Sequence, residues 1–344
     1  MAKGLDYASA GVDRAGREKA KAELSFLRNT YSLSRYGSII ETPFNVLYPL
    51  GFGTDLYQVK TSDGVGTKVL LAELAGKHDT IGIDAVAMVV NDCIRCGALP
   101  LALTDIIDVR RSTPELLREI QKGLSTGAAE AGCPLVGGET ADLPELMAAP
   151  YHINADCVGI VSREEIIDGS KIKHGDKIIG MRSSGLHSNG ISLARKALFK
   201  KWGGKYEGSE LIESTGRSIL LEALEPTRIY VKQFMRLKKS VDVLGAVHIT
   251  GDAYLKFKRI TRHGMRFWNF KPPEIFKLIQ VAGKIDIEEM FKTFNMGWGF
   301  AVFVRKNDVD EALQVLGDDA EVIGEVVQEQ GVGIRYGGKR FLLR

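Results

Sequence analysis

No run of eighteen apolar residues occurs in the 344-residue chain, and the amino terminus, Met1-Ala2-Lys3-Gly4-Leu5-Asp6, lacks the apolar centre of a signal peptide. Neither a membrane span nor an export leader is expected, and the protein is read as cytoplasmic. Cysteine is scarce. Cys93, Cys96, Cys133 and Cys157 make no disulfide framework in a chain this long, in agreement with a reducing compartment. Cys93-Ile94-Arg95-Cys96 has no second Cys-x-x-Cys and no matching histidine pair, so the four ligands of a structural zinc are missing. Charge of one sign is lacking too: 46 Lys+Arg against 43 Asp+Glu leave +3 at pH 7, no general basis for binding nucleic acid or a polybasic attachment to a membrane. Walker A spacing and the Gly-x-Gly-x-x-Gly dinucleotide fingerprint are both absent.

What remains is a globular composition, 44% hydrophobic and 26% charged, in a length that suggests two domains. Glycine is abundant, 38 against 10 prolines, with no collagen-like period. Such glycines serve sharp turns and close backbone approaches, phosphate loops among them.

The first 40 residues are polar and read as an arm outside the core. From Leu56, Tyr57, Val59 and Thr61 alternate with polar residues in a half-buried strand that stops at Asp63-Gly64. A helix is expected from Lys68 to Leu74. Residues 83–96 are apolar nearly all round, a buried helix with Asp84 as its expected N-cap. Leu99 to Val109 reads as a strand, and a helix opens at Ser112-Thr113-Pro114-Glu115 with Ser112 or Thr113 as cap. Cys133 to Val136 is a short strand running into Gly137-Gly138-Glu139-Thr140, where the two glycines suit a tight turn. The charged stretch Ser162 to Asp176 is the boundary candidate, and a second α/β pattern follows it.

Asp92 stands in a segment too apolar to face water, so its carboxylate must be paired, hydrogen-bonded or metal-bound. Asp63 precedes Gly64-Val65-Gly66-Thr67-Lys68, where glycines and a helix start can receive an anion and Lys68 can add a point charge. Glu139 and Asp142 fall at a strand end, the usual place for ligands in α/β sheets. Asp63, Asp92 and Glu139 are hard oxygen donors suited to Mg²⁺ and a polyphosphate if they converge. Gly185-Leu186-His187-Ser188-Asn189-Gly190 can hold phosphate through Ser188, Asn189 and backbone N–H groups, with His187 as acid, base or positioning group. His248-Ile249-Thr250-Gly251 is a second loop of that kind.

The order of these loops, from Ala10-Gly11-Val12-Asp13 through Val90-Asn91-Asp92 to Met296-Gly297-Trp298-Gly299, resembles the phosphoribosylformylglycinamidine cyclo-ligase (aminoimidazole ribonucleotide synthetase) family over residues 7 to 327. The resemblance implies an α/β (α+β) two-domain PurM-like fold: an arm over 1–40, an ATP-binding domain over 41–165 that dimerises through its sheet, and a carboxy-terminal domain over 170–344. It implies a homodimer that acts on ATP and formylglycinamidine ribonucleotide with Mg²⁺ and needs no nucleic acid or membrane. Carried over by position, Asp63, Asp92 and Glu139 are the metal set. Asp63, Gly64, Gly66, Thr67, Lys68, Gly137, Gly138 and Thr140 meet ATP, and Ser188, Asn189, Thr250 and Asp142 meet substrate. His187, His248 and Asp92 are the catalytic candidates, without deciding which histidine moves a proton. Two departures stand out. Tyr7-Ala8-Ser9 replaces the usual Tyr-Lys-Asp, leaving Lys3 or Lys19 to substitute for the lysine, and Asp252-Ala253-Tyr254 replaces a glycine run, with Lys256 and Lys258 following. Selenophosphate synthetase, thiamine-monophosphate kinase and the carbamoyl-dehydrating hydrogenase maturation factor are alternatives of the same superfamily; a non-catalytic nucleotide-binding scaffold is an alternative of another class. Selenophosphate synthetase usually carries a reactive cysteine in the first glycine loop, and here none precedes Cys93.

Overall fold

The computed structural model describes residues 4–343. Two sheets organise them. The first holds β1 (Ile40–Glu41), β2 (Val46–Pro49), β3 (Leu56–Gly64), β4 (Leu99–Val109), β5 (Leu135–Asp142) and β6 (Tyr151–Ser162) in the order β1-β2-β3-β6-β4-β5, with only β4 and β5 parallel. The second holds β7 (Lys177–Arg182), β8 (Gly245–His248), β9 (Gly264–Phe267), β10 (Trp298–Val304), β11 (Ala320–Val327), β12 (Val332–Tyr336) and β13 (Lys339–Leu343) in the order β13-β12-β9-β11-β7-β10-β8. Burial alternates residue by residue along β6, as a sheet covered on one face requires, whereas every residue of β10 is buried, so its sequence is a continuous apolar run.

The inner face of the first sheet is covered by two helices, Asp79–Ile94 and Pro114–Ala131. They meet backbone to backbone: a Cβ on Gly82 would lie 2.3 Å from Leu124 N, and one on Gly123 would lie 1.9 Å from Asp79 O. Thr113 is the cap of the second helix, accepting from Leu116 N, while Ser112 bonds Asp142 instead. Two expectations are corrected. The first helix begins five residues before Asp84, because the chain enters it at Asp79, so Asp84 is not a cap but a wholly buried mid-helix carboxylate. Gly137-Gly138-Glu139-Thr140 is not a tight turn; it is extended in β5, paired in parallel with β4. The arm forms a helix over Arg14–Ala22 and lies against the second half of the chain, with Leu5 N donating to Gly283 O and Arg14 paired with Glu289. No helix among the described residues is long and apolar enough to cross a membrane.

Asp84 fastens the two halves together. Its Oδ1 accepts from Lys68 Nζ, Ser188 Oγ, Thr227 N and Thr227 Oγ1 at 2.6–3.0 Å, and Lys68 Nζ also donates to Glu225 O. Both side chains of the ion pair are fully buried. Removing one partner of such a pair leaves an uncompensated charge, so Lys68→Met is expected to cost about 3–5 kcal/mol in urea denaturation. A cost below about 1 kcal/mol, the value of an exposed pair, would mean that this pair does not hold the halves together.

Candidate active site

The helix Asp79–Ile94 carries a polar stripe. Asp84, Asn91 and Asp92 are spaced seven and eight residues apart, close to two helical turns, so they look the same way, toward the second half of the chain. Asn91 Nδ2 donates to Arg228 O, and its Oδ1 accepts from Tyr230 N. Asp92 Oδ1 accepts from His248 Nδ1 at 2.8 Å and from Arg95 Nη1 at 2.9 Å. Burial works to raise the Asp92 carboxyl, but the Arg95 charge and the His248 hydrogen bond outweigh it and hold the group below the usual carboxylate range. Asp63, at the end of β3, moves the other way: desolvation raises it, and the negative charge of Asp92 raises it further. Two carboxylates thus share one neighbourhood at the junction of the two sheets.

Two histidines complete this neighbourhood. His248 ends β8 and is fully buried; His187 is also buried and is held at φ 61°, a conformation that costs a non-glycine residue energy and marks a constrained loop. The hydrogen bonds assign their tautomers. Because His248 Nδ1–H is given to Asp92, its Nε2 is an acceptor, buried and without a partner among the described residues. His187 Nε2 accepts from Ser184 N, so its Nδ1 carries the proton and is likewise unpartnered. Burial lowers both pKa values, His187 well below the ordinary one, and both rings are neutral at pH 7. Gly299 makes room for His187: a Cβ there would lie 2.0 Å from Tyr230 Oη and 2.4 Å from His187 Cε1.

The residues singled out in the sequence fall into three places. Asp63, Asp92, His248 and Thr250 gather at the junction of the sheets, with Gly64 N on Asp63 Oδ1 and Gly66 at φ 68° beside them. Lys68 and Ser188 are drawn inside to Asp84, while Thr67 Oγ1 meets Ser192 Oγ and Asn189 Nδ2 approaches Met88 Sδ across the junction. Gly137, Gly138, Glu139, Thr140 and Asp142 lie elsewhere. Register runs from Asp63 through Ala155 and Asp105 to Gly138, three strand spacings, roughly 14 Å. Glu139, the next residue, points to the opposite, exposed face and accepts from Thr140 N, while Asp142 is engaged by Ser112. Asp63 and Glu139 of one chain therefore do not converge, and among the described residues no group of three or more His, Cys, Asp or Glu side chains is placed to hold a metal ion. Of the substitutes for the missing lysine, Lys3 lies outside the described residues and Lys19 is exposed on the arm helix.

Asp105 was not anticipated. It is buried in β4, desolvation raises its carboxyl, and with Gln121, Gly137, Gly138, Glu139 and Thr140 it lines a concavity of about 460 Å³. Its signal was available: it occupies an inward position in register with Leu103, Ile107 and Val109, the same anomaly that marked Asp92.

Residues 46–161 match the model of the AIR synthase related protein N-terminal domain, and residues 173–337 match that of its C-terminal domain. The chain belongs to the AIR synthase related family. Within this family it is 46% identical to the phosphoribosylformylglycinamidine cyclo-ligase of Pyrococcus furiosus over 98% of this chain and 100% of the relative. It is 42% identical to that of Carboxydothermus hydrogenoformans over 94% and 96%. Among solved structures it is similar to the hydrogenase maturation protein HypE in complex with ATP (TM-score 0.63, 17% identity, 94% of each chain). A second, ThiL complexed with AMPPCP and TMP, gives a TM-score of 0.60 at 14% identity over 92% and 95%. These distant structures share the two-sheet fold of the family.

The buried neutral His187 has a stability consequence. An unfolded histidine takes up a proton near pH 6.5, which the folded site refuses, so the contribution of His187 is complete above that pH and is lost as pH falls below it. His187→Asn, which tolerates positive φ, is expected to lose less of its urea midpoint than the parent between pH 7 and pH 5. Parallel pH curves would show that the folded site accepts the proton.

Proposed function

We propose that the protein uses ATP to close formylglycinamidine ribonucleotide into aminoimidazole ribonucleotide, releasing ADP and phosphate, as a cytoplasmic enzyme of purine synthesis. The observation that carries this reading is near full-length similarity to cyclo-ligases in a chain that retains Asp63, Asp92, His187 and His248. The chemistry needs little covalent help from the protein. An amide oxygen leaves poorly; once it takes the γ-phosphoryl group of ATP, an internal nitrogen attacks the same carbon, the ring closes, and the C–O bond breaks to release phosphate. Positioning and charge neutralisation are then the main demands. Asp63 and Asp92 would hold a magnesium ion that neutralises the triphosphate, and the raised Asp63 carboxyl fits a site that wants a cation. His248 Nε2 can accept the proton that the closing ring gives up, and His187 Nδ1–H can donate to an oxygen of substrate.

The outer face of the first sheet supports a homodimer. Val46, Tyr48, Leu99, Leu101, Ile106 and Val136 are each 37–65% exposed there, an apolar surface of the kind that marks protein contacts. Glu139 lies on this face, in register with Ile106. In this reading Glu139 and the glycines of β5 reach the Asp63–Asp92 pair of the other copy, which gives them a role that they cannot have within one chain.

Purified protein with Mg²⁺ is expected to convert ATP and formylglycinamidine ribonucleotide into the aromatic amine, scored by a diazo dye. ATP turnover on thiamine monophosphate or selenide with no such product would overturn the reading. The shared site has its own test. Asp92→Asn and Glu139→Gln are each expected to abolish turnover, and mixing them under subunit exchange should restore about a quarter of it, since half the dimers are mixed and each has one intact site. No recovery despite demonstrated exchange would place both residues in a single chain's site.

A further inference from the structure

Lys256 stands in the 3-10 helix Ala253–Arg259, where the sequence departs from the family's glycine run. This segment is rigidly seated. Tyr254 and Phe257 are fully buried and stacked 5.7 Å apart, and Tyr254 Oη donates to Asn295 O at 3.0 Å. The anchoring turns Lys256 back over the loop that precedes it, where its Nζ donates to Thr250 Oγ1 and, at 3.4 Å, to the carbonyl of His248.

Both acceptors are neutral, and among the described residues Lys256 makes no ion pair. Its charge is felt by Asp92 and Asp63 and opposed by Arg95 and Arg259, which places it at the junction with the two carboxylates. The two arginines are otherwise committed. Arg95 holds Asp92, Asn45 Oδ1 and Phe44 O, and Arg259 donates to Pro43 O, with both guanidiniums against the Phe44 ring. Lys256 keeps a third N–H with no acceptor among the described residues, and Thr250, which accepts from it, still has its own O–H to donate. Burial pushes the ammonium down to about 8, against the opposing pull of the Asp92 charge. Beside it, the fully buried Nε2 of His248 has no hydrogen-bond partner among the described residues.

We propose that Lys256 binds a phosphoryl oxygen of an incoming substrate, together with the Thr250 hydroxyl, beside the His248–Asp92 pair. A compact ammonium with free donors is a point-charge phosphate binder, a role that needs neither the planar fork of arginine nor a metal. The proposal rests on the cyclo-ligase reading only for the identity of the ligands, which offer two sources of that oxygen: the terminal phosphate of ATP and the ribose phosphate of the ribonucleotide.

The test uses the full chain with Lys256→Met, Lys256→Gln and Lys256→Arg. Lys256→Met is expected to lower kcat/KM by about 10²–10³-fold, the scale for loss of one preorganised charge donor, with its thermal midpoint little changed. Lys256→Arg should recover part of the loss. A raised KM for the ribonucleotide alone assigns the ribose phosphate; a lowered kcat with weaker ATP binding assigns the terminal phosphate. Kinetic constants within twofold of the parent, or a loss that only tracks the fraction unfolded in both Lys256→Met and Lys256→Gln, would overturn the proposal. Calorimetric titration with Mg²⁺-ATP and with inorganic phosphate separates this failure from failure of the reaction. If the parent makes no aminoimidazole product, at least tenfold weaker binding of either probe to Lys256→Met still supports the residue's role, and equal binding of both overturns it.

Discussion

A carboxylate taken wholly out of water must be compensated, and Asp84 is compensated by both halves of the chain at once. Lys68 comes from the end of the first glycine loop, while Ser188 and Thr227 come from the second half. None of these partners can be withdrawn cheaply, because an unpaired buried charge costs more than the pair itself contributes. The node therefore fixes where the second sheet sits relative to the helix Asp79–Ile94, and the placement of every residue at the junction follows from it.

Helical geometry carries that constraint to the chemistry. With Asp84 pinned, Asn91 meets Tyr230 and Arg228 two turns away, and Asp92 is delivered to His248. The Asp92 hydrogen bond in turn sets the tautomer of His248, so a structural ion pair some two turns distant decides which ring nitrogen is left without a partner among the described residues. Gly299 completes the arrangement by letting a backbone pass against Tyr230 and His187, which no side chain would permit. The missing side chain at Gly299 thus leaves space for a buried histidine rather than for a turn.

Local pattern was enough for much of this. Alternation located β3, the all-round apolar segment located the central helix, and a carboxylate in so apolar a stretch pointed to Asp92. The same rule applied to β4 would have found Asp105. What failed was assignment at a distance. Asp84 reads as an N-cap because it stands just ahead of the apolar run 85–90, and Lys68 reads as a phosphate ligand because it follows a glycine loop; each is a statement about neighbours in sequence, and the true partner of each is the other, 16 residues away. Gly137-Gly138 reads as a turn because its pairing with β4 is non-local.

The amino-acid sequence by itself determined the kind of protein: two α/β halves, glycine-rich segments alternating with acidic and histidine residues in a characteristic order, and membership of one family. Periodicity, composition and motif order are local or additive properties, so they survive without coordinates. Only the tertiary structure decided which carboxylates meet. Asp63 and Asp92 come together because a helix docks over the end of β3, whereas Glu139 is carried three strands away and onto the other face. Convergence depends on strand order and side-chain direction, and neither is written in the spacing of residues along a chain.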